Sequence, residues 1–366
     1  MSTRIAIAVS GGIDSLLALV LLREQGHDLL ALHGRLLPLN ASGEAAVAGL
    51  ANLCCHLRVP FKTLDLTTEF EHLVIKPFAA AYAAGLTPNP CARCNAVIKF
   101  GLIMDAALAE GAECLTTGHY ARRIDHFHYG QTLSYGADLL KEQSYFLALV
   151  PPGRLARAVF PLGRFTKAAV RAALIERGLF PPLPNESQEI CFVSKDDYRS
   201  FLERHNEKCG TSLPGPGSIQ FVDGRKLGRH HGLWRYTVGQ RRGLGLPFAE
   251  PLYVVGKNIK TNSLLVGPRP TLATSSCRVG ELNLLVPPEY WPKTVLVRTH
   301  YRQKADPAVT NLSVTASAGD VLEVNFLTPS TMPAPGQVAA IYAPDGAVLA
   351  GGILLPQDPK AAPITE

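Results

Sequence analysis

The chain has 366 residues, 47% of them hydrophobic and 18% charged, and a formal net charge of +6. Its length predicts two or three domains, and no apolar run reaches the roughly 18 residues that a membrane span needs. We expect a cytoplasmic protein, since the N-terminus leaves no room for a signal peptide and eight cysteines are too few for a disulfide scaffold. The mildly basic charge permits a polyanionic partner such as RNA.

The first predicted elements are a strand, a glycine turn and a helix. Residues 5–9 form an apolar run, and residues 16–22 have a helical pattern that stops at Gly26. The turn between them is Ser10-Gly11-Gly12-Ile13-Asp14-Ser15. Two glycines and a helix N-terminus bring backbone N–H groups to an anion. The turn therefore predicts a phosphate site with Asp14 on a bridging Mg²⁺, although an ordinary glycine turn has the same pattern.

Strands and helices alternate through the first half of the chain. The predicted strands are residues 29–33, 60–66 and 113–117, and the predicted helices are residues 45–57, 70–84 and 96–108. This alternation predicts a doubly wound parallel sheet. Ligands of such sheets bind beyond the carboxyl ends of the strands, where the Ser-Gly-Gly turn already lies.

Three cysteines are candidates for chemistry. Cys91 and Cys94 form a Cys-x-x-Cys within residues 87–95, where two prolines predict a non-helical segment. A thiol at a helix start can have a lowered pKa. The alternatives are two inert thiols or a structural zinc half-site, for which a second Cys-x-x-Cys is missing. Cys191 follows a polar turn.

Several polar segments have two interpretations each. His119 could contact a phosphate or satisfy its own turn, and residues 141–147 suit RNA contact or an exposed helix start. The basic helix predicted over residues 167–177 is interpreted as a solvated face. Residues 228–243 interleave cations with aromatic rings, which predicts either a nucleic-acid surface or two strands with charged outer faces.

The composition changes near residue 210. Residues 210–217 are rich in Pro and Gly, and beyond them short strands and turns predominate, including a predicted hairpin at Asp223-Gly224. From Gly280 onward the pattern predicts a small β-barrel. We predict a catalytic domain over residues 1–210, a central domain over 211–277, a β-barrel over 278–356 and a disordered tail over 357–366.

The turn at residues 10–15 resembles the Ser-Gly-Gly-x-Asp-Ser signature of the PP-loop ATP pyrophosphatases, and it is neither a Walker A loop nor a dinucleotide turn. Further motifs follow in order: Pro88-Asn89-Pro90, Cys94-Asn95 with Lys99-Phe100, and residues 117–122, 141–146, 188–192, 236–241, 243–245, 301–302 and 335–337. Together they resemble the bacterial tRNA-specific 2-thiouridylases, the MnmA (TrmU) family, over nearly the whole chain.

This resemblance implies an α/β, adenine nucleotide α-hydrolase-like catalytic domain, a small central tRNA-binding domain and a C-terminal β-barrel. It implies that ATP adenylates O2 of the wobble uridine, that persulfide sulfur attacks C2, and that AMP and pyrophosphate are released. The implied cofactors are ATP and Mg²⁺. The implied partners are tRNA and a sulfur-relay protein or cysteine desulfurase as persulfide donor.

The resemblance also assigns residues. Cys191 carries the persulfide and Cys94 is the nucleophile, with a transient Cys94–Cys191 disulfide. The implied ATP contacts are Ala8, Val9, Ser10, Gly11, Gly12, Ile13, Asp14, Ser15, Gly34 and Gly118. The implied contacts with tRNA, whose target base must leave its stack, are Asn89, Pro90, Cys91, Lys141, Glu142, Gln143, His300 and Tyr301.

Other hypotheses stay open. Some relatives have Asp in place of Cys91, so Cys91, Cys94 and Cys191 could instead ligate a [4Fe-4S] cluster that holds sulfide on an open iron. A PP-loop ligase of the argininosuccinate-synthetase type would need the loop but neither Cys94 nor Cys191. A non-catalytic RNA-binding module would tolerate loss of Asp14.

Overall fold

The computed structural model describes residues 4–182, 190–193, 197–315 and 319–357. The strands are β1 (Arg4–Ala8), β2 (Asp28–Arg35), β3 (Phe61–Asp65), β4 (Cys114–Thr116), β5 (Ala121–His126), β6 (Gly130–Tyr135), β7 (Ala158–Val159), β8 (Gly217–Phe221), β9 (Lys226–His230), β10 (Tyr253–Asn258), β11 (Ser263–Gly267), β12 (Ala273–Leu284), β13 (Val295–Arg298), β14 (Asp306–Thr315), β15 (Gly319–Thr331), β16 (Val338–Tyr342) and β17 (Val348–Leu354). The α-helices are α1 (Ile13–Glu24), α2 (Ala41–His56), α3 (Thr67–Phe70), α4 (Lys76–Ala83), α5 (Pro90–Cys94), α6 (Met104–Ala109), α7 (Ser144–Leu147), α8 (Pro152–Leu155), α9 (Lys167–Glu176) and α10 (Tyr198–Cys209). Two π-helical segments, Glu71–Ile75 and Asn95–Ile103, connect α3 to α4 and α5 to α6.

A parallel sheet of strand order β3-β2-β1-β4-β7 organises the first part of the chain. Its central strands β1 and β2 are apolar on both faces, as strands covered on two sides are, whereas the edge strand β3 has exposed polar residues. Leu30 and Leu32 of β2 pack against the helices of residues 67–109. Ile5 and Ile7 of β1 lie in a second core with α1, α2 and α9. The predicted doubly wound α/β fold is confirmed.

Local capping determines where several helices begin and end. The Asn40 side chain accepts a hydrogen bond from Gly43 N at 2.9 Å at the start of α2, and Thr166 accepts one from Ala169 N at 3.2 Å at the start of α9. Gly26, beyond α1, has a φ of +80°, which favours glycine. None of the helices in the described ranges is long and apolar enough to cross a membrane.

Two β structures form the second part of the chain. The central sheet has the order β10-β11-β8-β9, and the predicted Asp223-Gly224 turn joins β8 to β9. The C-terminal strands close a barrel in the order β12-β15-β14-β13-β16-β17, as predicted. Because β12 begins at Ala273, a boundary between residues 277 and 278 would cut this strand. We therefore propose that the barrel begins at residue 273; residues 358–366 of the predicted tail lie outside the described ranges.

Lys257 of β10 connects the central sheet to the catalytic domain. Its Nζ donates a hydrogen bond to the carbonyl oxygen of Gly85 at 2.8 Å. Removal of the ammonium group from water lowers the pKa of Lys257 to about 7. An unfolded chain keeps the ordinary lysine value of about 10.4, so between these values the folded protein binds fewer protons than the unfolded chain. Stability therefore rises with pH in this window.

We expect the free energy of unfolding to rise from pH 7 to about pH 8, and Lys257→Met to remove most of this rise. Above about pH 8 the trend reverses, because thiols of the unfolded chain ionise at about pH 8.5. In the folded protein, burial raises the thiol pKa of Cys54 to about 11 and that of Cys277 to about 12, and it raises those of the active-site thiols as well. Urea denaturation at several pH values measures the slope. Lys260→Met, at an exposed lysine of the following turn, is the control. An unchanged slope in Lys257→Met would contradict the assignment.

Candidate active site

The predicted phosphate turn lies at the carboxyl edge of the parallel sheet. β1 ends at Ala8, and Gly34 of β2 extends past that end because Ala8 pairs with Leu32. Gly118 follows β4, the neighbour of β1 on the other side. A Cβ on Gly118 would lie 2.8 Å from both the carbonyl carbon of Asp14 and Ser15 N. Only glycine lets the two turns touch, so the structure brings Gly118 to residues 10–15 as expected.

The turn is held by its own hydroxyls. Ser15 Oγ accepts a hydrogen bond from Ser10 N at 3.2 Å and donates one to the carbonyl oxygen of Gly12 at 3.1 Å. Gly11 has a φ of +87°, which favours glycine. Gly12 is the N-cap of α1 and provides no side-chain cap, so the first N–H groups of the helix are left for a ligand. Val9 and Ser15 are buried supports, whereas Ser10 is exposed.

Asp14 has partners that the sequence analysis missed. Lys167 Nζ donates to both carboxylate oxygens of Asp14 at 2.8 Å, and Tyr120 Oη donates to Oδ1 at 2.6 Å. Lys167 is buried, so the predicted solvated face of the helix over residues 167–177 is wrong at this position. Oδ1 of Asp14 thus accepts two hydrogen bonds and Oδ2 accepts one, so Oδ2 keeps a lone pair for the predicted Mg²⁺. No periodicity links residues this far apart in sequence.

Cys91 and Cys94 lie on a helical turn, which corrects the prediction that the helix begins at Ala96. Pro90 occupies the first turn of α5, where its missing N–H is no loss, and the Asn89 side chain accepts a hydrogen bond from Ala92 N at 3.1 Å. Cys91 is exposed and Cys94 is buried. A sequence with Pro at this position and Asn before it is a helix start signal that could have been recognised.

The structure brings Cys91, Cys94 and Cys191 together. Burial is the largest cause that raises the pKa of Cys94, to about 12, and the neighbouring Cys191 and Cys91 raise it further. Desolvation also raises the pKa of Cys191 to about 11. It raises the pKa of Cys91 as well. The lowered pKa expected from the helix start is therefore wrong. All three are free thiols, and Lys99 opposes the rise at each of them.

Phe192 anchors the segment that carries Cys191. Its ring centroid lies 5.7 Å from Phe70, 5.2 Å from Phe78 and 5.1 Å from Phe201. These contacts hold Cys191 against the helices that precede α5. Gln188 and Glu189 of the same motif lie outside the described residues.

His119 is a structural residue. It is buried, and its Nδ1 lies 2.7 Å from Thr117 Oγ1. Burial, together with the charge of Lys99, holds the pKa of His119 well below its usual value. The imidazole is therefore neutral at physiological pH, which favours the turn interpretation over a charged phosphate contact.

The segments predicted to contact tRNA meet beside α5. Asn95 Nδ2 donates a hydrogen bond to the carbonyl oxygen of Phe146 at 3.0 Å, and the Phe146 ring lies 4.4 Å from the Tyr301 ring. Gln143 accepts from Tyr120 N at 3.0 Å, so its amide also supports the Gly118 turn. The residues left at least partly exposed near this junction are Asn89, Cys91, Lys141, His300 and Tyr301.

Glu142 differs from its expected role as an exposed tRNA contact. It is 2% exposed, and Arg298 Nη1 of the barrel donates to its Oε2 at 2.5 Å. Arg298 also donates to the carbonyl oxygen of Tyr301 at 2.6 Å. The buried ion pair therefore joins the catalytic domain to the barrel and positions Tyr301.

We expect Glu142→Ala to destabilise the protein by about 3 kcal/mol, because it leaves the Arg298 guanidinium buried without its anion. Thermal or urea unfolding measures the loss. The double variant Glu142→Leu/Arg298→Met should regain much of it, since no buried charge is left unpaired. Equal stability of Glu142→Ala and the unchanged protein would contradict the buried pair.

The barrel also forms hydrogen bonds with the segment that precedes α5. Thr87 N donates to the carbonyl oxygen of Pro335 at 2.8 Å, and Gln337 Nε2 donates to that of Thr87 at 3.1 Å. A groove of about 360 Å³ runs along this contact between the two domains, and Asn89, Pro90 and Arg93 line it. Pro90 is itself buried. The C-terminal barrel is thus part of the site.

The aromatic residues of the stretch 228–243 do not form a stacking surface. Trp234 and Tyr236 are each 4% exposed and belong to the interior. Arg229, Arg241 and Arg242 are exposed. The stretch therefore offers charge for phosphates without rings for bases, and it forms one strand and a short 3₁₀ turn instead of two tandem strands.

Three domain families match the chain in order. The tRNA methyl transferase HUP domain matches residues 3–195, the tRNA methyl transferase PRC-barrel domain residues 199–268, and the aminomethyltransferase beta-barrel domain residues 274–354.

Curated relatives match almost end to end. The tRNA-specific 2-thiouridylase MnmA of Nitratidesulfovibrio vulgaris strain Miyazaki F is 52% identical over 356 residues, which cover 96% of this chain and 99% of that protein. The protein of the same name from Lawsonia intracellularis is 46% identical and covers 96% of this chain and 98% of its own length. The protein of the same name from Desulfosudis oleivorans is 41% identical, and the match covers 96% of this chain and 94% of that protein.

Proposed function

Because the chain belongs to the tRNA-specific 2-thiouridylase family, we propose that it replaces the C2 oxygen of the wobble uridine in tRNA by sulfur in an ATP-dependent reaction. The observation that carries this proposal is that Cys191 lies near enough to Cys94, from which it is far apart in sequence, for the two thiols to interact electrostatically. The same domain contains a glycine turn suited to phosphates. The family models carry a methyltransferase name, but methyl transfer needs no ATP-cleaving loop. The geometry favours the thiouridylase name of the relatives.

The first step makes the uridine oxygen a leaving group. The C2 carbonyl oxygen attacks the α-phosphorus of ATP, the bond between the α- and β-phosphates breaks, and pyrophosphate leaves. The N–H groups at the start of α1 and the ammonium of Lys167 supply positive charge to the phosphates. Asp14 holds Lys167 in place. Asp14 Oδ2 accepts one hydrogen bond from Lys167, so its remaining lone pair would hold Mg²⁺, which would supply further positive charge to the phosphates.

The second step transfers sulfur. The terminal sulfur of a Cys191 persulfide attacks C2, and AMP leaves with the former uridine oxygen. Cys94, losing its proton to water, attacks Cys191 Sγ; the S–S bond electrons pass to the sulfur on C2, which becomes the 2-thio group. A Cys94–Cys191 disulfide remains, and an external dithiol reduces it. A persulfide is a stronger acid than a thiol, so this route does not require ionisation of the Cys191 thiol, whose pKa is raised.

A cluster-based sulfur transfer is the second candidate. Cys91 belongs to the same group of thiols, which favours a three-cysteine ligand set for a [4Fe-4S] cluster. Such a cluster would supply an open iron for exogenous sulfide. Three thiols are the donors that such a cluster requires, and here Cys91 and Cys191 are exposed while Cys94 is buried.

Anaerobic purification with iron and labile-sulfide assays, followed by tRNA thiolation with ATP, tests the proposal. We expect an iron-free, colourless protein that thiolates tRNA from a persulfide donor. A brown protein with about four irons, active only when loaded, would overturn the persulfide route but keep the enzyme. Absence of thiolation by either form would overturn the function.

We propose that tRNA binds across the groove beside Asn89 and the exposed Arg229, Arg241 and Arg242. Phosphate contacts by these cations predict affinity that falls with salt. The partner that supplies sulfur is a persulfide donor, either a sulfur-relay protein or a cysteine desulfurase. The cytoplasm, where tRNA is modified, is the proposed location.

A further inference from the structure

Three metal-ligating side chains meet away from the proposed active site. They are Glu71, at the start of the π-helical segment Glu71–Ile75, and His205 and Cys209, four residues apart on one face of α10. One ligand atom from each lies within 4.8 Å of the others. Within the described ranges, no fourth His, Cys, Asp or Glu joins this group.

The distances suit one tetrahedral ion. His205 Nε2 lies 3.7 Å from Cys209 Sγ, and the two atoms would be about 3.5 Å apart on a zinc ion with ordinary bond lengths. Glu71 Oε1 lies 3.8 Å from the other ring nitrogen, Nδ1, and a carboxylate can rotate towards the shared ion. An ion binds only one ring nitrogen, so a metal on Nε2 beside Cys209 would require Glu71 to turn from the Nδ1 side, within the 4.8 Å that separates the three ligand atoms.

The donor set selects the metal. A thiolate, an imidazole and a carboxylate together suit Zn²⁺, whereas Mg²⁺ and Ca²⁺ prefer oxygen ligands alone. Two negative charges, from Cys209 and Glu71, balance the charge of the ion. Cys209 is exposed, so water can fill the fourth position.

The surroundings orient the central ligand before any metal arrives. The His205 side chain is 10% exposed, and its ring stacks on Phe201 with an interplanar angle of 13°. Phe201 in turn contacts Phe192, as does Phe70, the neighbour of Glu71. An ion at this position would tie together both sides of the pocket that holds Phe192, next to Cys191.

We propose that Glu71, His205 and Cys209 bind Zn²⁺ and clamp α10 to the helical segment that contains Glu71. The clamp is separate from sulfur transfer, since none of its ligands belongs to the proposed active site. Its effect is to stabilise the position of the segment around Cys191.

Cobalt substitution is the direct test. The full chain, stripped with a chelator and kept reduced, is titrated with Co²⁺ in a background in which Cys91, Cys94 and Cys191 are serine, so that active-site thiols cannot bind the ion. We expect one Co²⁺ with tetrahedral visible bands and a thiolate charge-transfer band. Adding Cys209→Ser should remove that band, and His205→Gln or Glu71→Gln should weaken binding at least tenfold.

Protection of the thiol in the unsubstituted protein provides a test that does not depend on the folding of variants. Zn²⁺ should slow alkylation of Cys209 and raise Tm, while exposed Cys55 of α2 keeps its alkylation rate. Equal alkylation of Cys209 with and without Zn²⁺, or an unaltered cobalt spectrum after Cys209→Ser, would show that His205 makes only ordinary contacts with Cys209 and Glu71.

Discussion

Cys191→Ser is expected to lower the rate of tRNA thiolation by roughly 10³-fold or more, because it removes the atom that carries sulfur. Release of pyrophosphate from ATP in the presence of tRNA should persist, since the turn at residues 10–15 is untouched. Cys94→Ser should also abolish release of thiolated tRNA from the first turnover onward, because no thiol attacks Cys191 Sγ to free the sulfur on C2. Quantifying thiouridine and pyrophosphate in the same reaction separates the two steps.

The controls distinguish the competing chemistries. Cys55→Ser, at an exposed cysteine of α2, should keep full activity. Cys91→Ser should keep most of the activity if sulfur travels as a persulfide and abolish it if three cysteines hold a cluster. A PP-loop ligase would survive loss of both Cys94 and Cys191. An undiminished yield of an ATP-dependent ligation product in that double variant would therefore reject the proposed function, whereas pyrophosphate release alone would not.

Lys167→Met is expected to slow ATP cleavage by roughly 10²–10³-fold, the effect of removing one charged stabiliser of a transition state. Asp14→Asn should be comparably slow, because Lys167 would lose the carboxylate that orients it. The two substitutions should act as a unit, so the double variant should be little slower than either single one. Pyrophosphate release with saturating ATP and tRNA measures these rates.

Stability distinguishes this pair from an ordinary surface ion pair. The Lys167 side chain is 8% exposed and that of Asp14 30%, so Asp14→Asn deprives the more buried charge of this carboxylate. We expect it to cost about 3 kcal/mol, more than Lys167→Met. Lys62→Met, in the exposed pair with Glu110, should cost less than about 1 kcal/mol. If the losses of unfolding free energy in Asp14→Asn and Lys167→Met simply added up in the double variant, the two residues would not form a coupled pair.

Much of the architecture was decided by local sequence. Local sequence specifies the first strand, glycine turn and helix of the sheet, because an apolar run precedes Ser10 and a helical pattern follows the turn. The Asp223-Gly224 turn likewise specifies its hairpin. These patterns act over a few residues, through periodicity, turn geometry and capping, so sequence alone shows them. The local Cys-x-x-Cys pattern made Cys91 and Cys94 candidates, but the roles of Cys94 and Cys191 came from resemblance to a family.

Tertiary structure alone decided which groups act together. It paired Asp14 with Lys167, buried Trp234 in a cluster with Phe78 and Leu202 of the helices α4 and α10, and made Glu142 an interdomain anchor. It also reversed the expected thiol pKa shift at Cys94, because desolvation outweighs the helix dipole. Such outcomes depend on packing between segments distant in the chain, and neither periodicity nor composition contains that information.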